Sequence, residues 1–495
     1  MTDMDRIIIP AAIAEMVYLD DEQFVIADNH KSQPEVQSFY KKMKARGHEA
    51  EFVPLPVLRQ LLNSNGETST LSTSENQQKV IDLFKQAREL GASDIHMEIG
   101  RDGVTQVYFR IHGELEHIDS LEREEGMSLA STIVLSMCDM AEKQFNGERQ
   151  QDGRVAKKYL EGLDLFGARY AHTPAVYGLY VVMRIIPDDG KAPPTLEQLG
   201  FLPEQISIIG KALKRPEGVI ILSGPTGSGK STTLRSLGAQ YTANTRGKKR
   251  LLTVEDPPEG KIENAVQTAI VADRSQPEAV SLAWVRAMTS ALRLDPDCIL
   301  VGEIRCNNSA KTAIEASMTG HLILTTLHAN DPFNILERLA TKGIEPELIA
   351  DPQLMIGQIS QRLVPLLCPH CARTYEDVYD EMNSEDIALI EKYCNTEAVR
   401  FRNYDGCPHC RQTVRGKVVS GGIVGRTIIA EVVVPDEQLL SIYRQNGRLA
   451  ARKYWHSQLK GITRHEHLMP YINAGKVDPL IAHNISPLDE DEVLA

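Results

Sequence analysis

Hydrophobic residues recur along this chain at two spacings, and the places where the spacing changes divide it into modules. Residues 24–28 (FVIAD) form a short apolar run, 34–47 carry apolar positions at helical spacing and stop at Gly47, and 50–56 (AEFVPLP) return to strand. This pattern predicts a small α/β module over residues 1–62. Residues 63–78 (NSNGETSTLSTSENQQ) are rich in Ser, Thr, Asn and Gln and nearly devoid of apolar side chains, which is the composition of a linker. The helical period resumes at 79 in KVIDLFKQAREL and stops at Gly91. Residues 105–118 then alternate about a Gly turn like a hairpin, and 178–186 read as a further strand. Gly190, Pro193 and Pro194 interrupt the pattern, so a second module covers about 79–190.

Residues 191–495 read as the third module. Four short apolar runs, VIILSG, LLTVED, CILVGE and LILTTLH, alternate with helical segments there. That alternation predicts a doubly wound α/β core on a largely parallel sheet. Residues 435–480 read as mostly helical, and the closing DEDEVLA as a short solvated acidic end.

The first of those runs feeds Gly224-Pro225-Thr226-Gly227-Ser228-Gly229-Lys230-Ser231, which fits G-x-x-x-x-G-K-[ST], and Thr232 continues into a helical segment. Glycines let backbone N–H groups wrap a polyphosphate, and the helix that follows directs its positive end at the phosphates. Lys230 can reach the β- and γ-phosphates, and Ser231 can ligate Mg²⁺. The other three runs end in groups that could meet this loop, because strand carboxyl ends line one crevice in such a sheet. They supply Glu255, Asp256 and Glu259, then Glu303, then His328. Where a simple Mg²⁺-binding strand would end in Asp, the chain has Gly302 followed by Glu303. Glu303 is therefore assigned to orienting or deprotonating the attacking water. Glu255 or Asp256 can hold Mg²⁺ through water, and His328 can sense the γ-phosphate. The plainer reading of each is a helix cap or a surface charge.

Composition narrows the class. Lys and Arg number 54 against 67 Asp and Glu, a net charge of −13, which disfavours a general nucleic-acid binder. No run reaches the roughly 20 apolar residues of a membrane span. The opening MTDMDRIIIPAAIAEMVYLDDEQ does not read as a signal peptide, so a reducing cytoplasm is expected. Of eight cysteines, four form the pairs Cys368/Cys371 and Cys407/Cys410, each within CPHC and separated by 35 residues. Four thiolates at such spacing make a closed structural Zn²⁺ site, with a helical insertion near 389–394 filling the long spacer. Redox chemistry or unpaired thiols are the alternative.

Taken together, these residues resemble the type II secretion and type IV pilus assembly ATPases. ASDIHMEI (92–99), the phosphate loop, TVEDPPE (253–259), LRLDPDCILVGEIR (292–305) and TGHLILTTLHAND (319–331) match in the family's order, followed by the four-cysteine element and GRTIIAEV (425–432). The resemblance covers roughly residues 80–435. It implies a PAS-like α+β domain (79–190) ahead of a RecA-like ATPase core (191–495) that carries a zinc element (368–410) and a helical C-terminal part. It implies ATP, Mg²⁺ and Zn²⁺ as cofactors. It further implies a homohexamer at the cytoplasmic face of the bacterial inner membrane, driving a membrane platform protein, with residues 1–62 docking that protein's cytoplasmic accessory. No nucleic-acid partner is expected. In the family the PAS-like domain supplies arginines to the nucleotide. Arg110 in FRIHGEL and Arg154 in QDGR match the family's pattern, and Arg169 and Arg184 lie on the strands that follow, each with a surface salt bridge as the alternative. The chain departs from the family pattern at His112, Leu179 and Cys306, where Asp, Glu and Asp are usual. A pilus-retraction motor, a zinc-bearing nucleic-acid scaffold and a small-molecule P-loop kinase are the rival readings.

Overall fold

The computed structural model describes residues 13, 16–19, 23–28, 31, 33–54, 58, 74–140, 144–188, 190, 192–270, 272 and 277–494. It divides into two compact units, Met1–Gln78 and Lys79–Ala495.

In the first unit, strand Val17–Leu19 pairs antiparallel with Phe24–Ala27, which pairs parallel with Glu51–Val53. Helix Pro34–Lys44 makes the crossover and buries Val36, Phe39 and Met43 against Val17, Phe24 and Ile26. The segment read as a linker lies largely outside the described residues. Its last residues belong to helix Glu75–Glu89, which runs on into the second unit.

The second unit opens with an antiparallel sheet of seven strands in the order 114–122, 104–111, 92–99, 178–187, 165–175, 151–155 and 138–140. Helix Glu75–Glu89 lays Val80, Phe84 and Ala87 on its apolar face, among Met97, Phe109, Tyr170 and Val181. Alternation along Val104–Ile111 puts every second residue in this core, as a half-buried strand requires. The hairpin turn is made by His112 and Gly113, both at positive φ, +51° and +99°. That geometry suits a two-residue connection whose twist matches the strands.

A second seven-stranded sheet follows, in the order 265–269, 251–255, 298–301, 322–327, 218–223, 355–367 and 423–433. Its pairs are parallel except the last, which is antiparallel. The inner strands Gly218–Ser223, Cys298–Val301 and Leu322–Leu327 are buried residue by residue, so they read as continuous apolar runs without alternation. One apolar cluster covers each face, one around Trp284, Phe333 and Trp455 and the other around Leu234, Leu237 and Tyr241. The mixed α/β class is as the sequence predicts. Helices Glu437–Ser457, Arg464–Asn473 and Pro479–Ile485 make the helical C-terminal part. The acidic run after it is not a solvated end, because Arg464 and Arg452 pair with Glu490 and Asp491.

Candidate active site

The phosphate loop leaves the buried end of strand Gly218–Ser223, which is held between Leu322–Leu327 and Met355–Leu367. Gly224 turns the chain at φ +150°, and a Cβ there would lie 2.5 Å from the Gln361 carbonyl oxygen and from Ser228 Oγ. Gly229, at φ +83°, stands at the N-cap of helix Lys230–Asn244, and no side chain caps that helix. The first-turn N–H groups are therefore available to an anion, with Ser231 exposed and Thr232 half-buried beside them. Lys230 Nζ donates to the carbonyls of Gly224 (2.8 Å) and Pro225 (2.9 Å) across the loop. Burial lowers its pKa, and nearby Glu303 partly opposes this. The donor set and the glycine cradle fit a nucleotide polyphosphate.

One residue under the loop was not picked out from the sequence. Gln361 is fully buried, and its Nε2 donates to the Ser228 carbonyl at 2.7 Å, pinning the loop from the neighbouring strand. The available signal was a polar residue inside an otherwise apolar run.

Glu303 lies two residues beyond strand Cys298–Val301, and His328 one residue beyond Leu322–Leu327. These strands are neighbours, and the two side chains meet, His328 Nε2 being 3.1 Å from Glu303 Oε1. Arg305 Nε donates to the other oxygen, Oε2, at 2.9 Å, and its Nη1 reaches Asp256 Oδ2 at 3.5 Å. The Glu303 carboxylate is thus oriented from both sides. Glu255 is buried at the end of its strand, where Gln267 Nε2 donates to it at 3.4 Å. Burial raises its pKa, against hydrogen bonds from Thr253 and Gln267. Asp256 beside it is also buried, and its Oδ2 is the oxygen that faces Arg305.

Of the four candidate arginines, Arg169 alone bonds to the nucleotide-site segments. Its Nη2 donates to the Pro257 carbonyl (3.3 Å) and Glu259 Oε1 (3.2 Å), while burial lowers its pKa against the pull of Glu259. Arg110 donates to the Gly113 carbonyl at 2.8 Å, Arg154 grips Asp139 at 3.1 and 2.9 Å, and Arg184 pairs with Asp94 at 2.9 Å. These three are bonded within the antiparallel sheet.

The four paired cysteines converge. Their sulfurs lie within 4.8 Å of one another, with Cys368–Cys407 at 3.8 Å, Cys371–Cys410 at 3.7 Å and Cys407–Cys410 at 3.8 Å. Tetrahedral zinc with Zn–S bonds of about 2.3 Å needs sulfurs about 3.8 Å apart, so the residues fit that ion. Backbone N–H groups of Cys407 and Gly422 donate to Cys410 Sγ at 3.3 and 3.2 Å. The rings of His370 and His409 stack on each other, centroids 4.0 Å apart. Helix Ser384–Tyr393 occupies the long spacer.

Residues 72–470 match the family model described as "Type II/IV secretion system protein". The chain belongs to that family. It is 34% identical over 394 residues to the type II secretion system ATPase E of Vibrio cholerae, covering 78% of this chain and 72% of that protein. It is 32% identical over 449 residues to the type II secretion system protein E of Aeromonas hydrophila, covering 90% of this chain and 81% of that one. Among solved structures, the pilus retraction motor PilT with bound ADP superposes with a TM-score of 0.53 at 24% identity, covering 83% of this chain and 98% of that one. The Legionella pneumophila ATPase DotB gives 0.52 at 22% identity, covering 81% and 94%. These two likenesses concern the fold alone. Membership of the type II/IV secretion family makes the chain an ATP hydrolase.

Cys306, where the resemblance implies Asp, stands at the N-cap of helix Asn307–Met318. Its sulfur does an acid's work there. Sγ accepts from the Ser281 hydroxyl at 3.1 Å and from the Ser309 N–H at 3.4 Å, and these bonds outweigh burial to lower the thiol pKa. Leu179 instead lies buried in the core of the antiparallel sheet, where Glu would need a partner.

Proposed function

We propose that this secretion-family ATPase works as a homohexameric motor that powers assembly of a type IV pilus or a type II secretion pseudopilus. The observation that carries this reading is Glu303, held by His328 and Arg305 beside the phosphate loop of a chain that also keeps the four-cysteine centre. Lys230 and the first-turn N–H groups would hold the β- and γ-phosphates. Ser231, with Glu255 or Asp256, would hold Mg²⁺, which supplies charge neutralisation on the phosphates when bound. Glu303 orients water for in-line attack. The PAS-like reading of the antiparallel sheet gives Arg169 the role of balancing charge on the γ-phosphoryl group.

Turnover would shift the antiparallel sheet against the ATPase core, and that motion would pass to an inner-membrane platform protein from its cytoplasmic face. Residues 1–62 would dock the platform's cytoplasmic accessory. No described helix is long and apolar enough to cross a membrane, so membrane association would run through these partners. The four-cysteine centre favours assembly over retraction.

The test is phosphate release measured against oligomer size, with and without the platform's cytoplasmic domain. Turnover confined to hexamers and raised by the platform domain is the expected result. A strictly monomeric protein, inert even with that domain, would point to a scaffold instead. Exchanging Arg169 for Ala is expected to lower kcat by about 10²-fold, on the scale of one charge-stabilising donor. An unchanged rate would reduce Arg169 to a structural tie to Glu259.

A further inference from the structure

The carbonyl oxygen of Asn330 collects three donors: Arg464 Nη1 at 2.7 Å, Arg362 Nη2 at 2.8 Å and the Ser360 hydroxyl at 3.3 Å. A carbonyl offers two lone pairs, so three donors, two of them cationic, exceed what a connecting turn needs. Asn330 lies two residues past His328. The next residue, Asp331, caps helix Pro332–Thr341 by accepting the N–H groups of Phe333 and Asn334, both at 2.9 Å. The short segment carrying His328 is thus fixed by its strand on one side and by this knot on the other.

Arg464 is itself held. Its side chain is only 6% exposed, and its second arm pairs with Glu490. The other Glu490 oxygen accepts from the Ser486 hydroxyl at 3.1 Å. Burial would raise the Glu490 pKa, but Arg464 overrides it and holds the carboxylate ionised. Beneath them, fully buried Glu431 accepts the Arg464 N–H at 3.3 Å and grips Arg452 at 2.6 and 3.1 Å. Burying the Arg464 guanidinium and crowding the half-buried Arg362 onto the same oxygen is costly, and apolar side chains would pack the same space at less cost. An arrangement of that kind is explained better by what it aims than by what it stabilises.

We propose that Arg464, anchored by Glu490 and joined by Arg362, is a positioning residue that fixes the Asn330 carbonyl and so aims His328 at Glu303. The inference rests on reading Glu303 and His328 as the pair that faces the attacking water. Through it, the 486–491 segment becomes part of the hydrolytic apparatus although none of its residues touches the nucleotide site.

The test is a double-mutant cycle in the full chain, reading kcat for MgATP and the Kd of a fluorescent non-hydrolysable ATP analogue. Arg464→Gln is expected to lower kcat about tenfold with Kd changed less than about threefold, and Arg464→Lys to recover about threefold of that loss. In a His328→Ala background, Arg464→Gln is expected to cost less than about twofold more. An equal cost in both backgrounds would overturn the positioning role, as would an unchanged kcat or a parallel loss of analogue binding. His328→Ala with the normal rate would instead overturn the reading of the pair beneath it. If Arg464→Gln fails to fold, Glu490→Gln carries the same cycle, because it weakens the anchor and leaves the arginine in place.

Discussion

Exchanging Glu303 for Gln is expected to lower ATP turnover by about 10²–10³-fold while leaving nucleotide affinity within about threefold. The loop, Lys230 and the end of the following helix, which would hold the phosphates, form no hydrogen bond to Glu303. Glutamine keeps the size of the side chain, so the strand end should not rearrange. What it loses is a charged acceptor with two equivalent oxygens. One of those already takes the Arg305 Nε–H at 2.9 Å and the other lies 3.1 Å from His328 Nε2. An amide offers its oxygen to only one of these groups: with its NH₂ toward Arg305 that bond is lost, and with its NH₂ toward His328 the imidazole Nε2 must turn from donor to acceptor. Because the transferring phosphoryl group passes through a loose transition state, orienting water matters more than deprotonating it early. A carboxylate clamped by a cation is a weak base but a well-aimed acceptor, which suits that role. Rapid-quench turnover together with equilibrium binding of the analogue separates the outcomes. A variant that hydrolyses within threefold of the parent would remove Glu303 from the mechanism, and one that no longer binds would make it a structural residue.

Those same residues show what the sequence could and could not disclose. The phosphate loop was legible because its glycines meet a local demand: Gly224 has no room for a Cβ and Gly229 must turn at positive φ. The inner strands were legible because burial on both faces writes them as unbroken apolar runs. Strand Met355–Leu367 was harder to see, since its apolar pattern is broken by Gln358, Ser360, Gln361 and Arg362. Three of those four polar side chains make contacts with segments far along the chain, at Ser228 and Asn330, and no local pattern encodes such a distance. The arginines were ambiguous for a related reason. Arg110, Arg154, Arg169 and Arg184 all sit in strands or beside turns of similar composition, and only the packing of the antiparallel sheet on the core gives Arg169 the Pro257 carbonyl and Glu259. The acidic run misled by composition. Glu490 and Asp491 are charged and late in the chain, yet buried cations at Arg464 and Arg452 draw them inward.

Loss of the metal is expected to be felt well beyond the cysteines. Exchanging Cys410 for Ser should abolish binding of one Zn²⁺ per chain and unfold the element between the two cysteine pairs. A structural zinc site contributes on the order of 10 kcal/mol to the fold it closes. The element also ties the core to the antiparallel sheet. Arg402, with a side chain only 4% exposed, donates to both oxygens of Glu114 at 2.7 Å, and Arg415 pairs with Asp119. Directly after Cys410, the hairpin of Gln412–Val414 and Lys417–Ser420 sends Val414 and Val419 into the core of that sheet. Arg402 is placed by its N–H to Asp478 and by Nε to the Gly421 carbonyl, both 2.9 Å, and Gly422 beside it donates to the Cys410 sulfur. A zinc ion on the four sulfurs would therefore set the footing of the residues that clasp strand Glu114–Glu122. Hydrogen exchange with zinc quantified by mass spectrometry checks this. Faster exchange should spread from residues 369–410 to 114–122 in Cys410→Ser, and Arg402→Ala should reproduce the second effect with zinc retained. Exchange that rises only among the cysteine residues would confine the metal to a local role, with the Arg402 and Arg415 pairs holding the sheet without it.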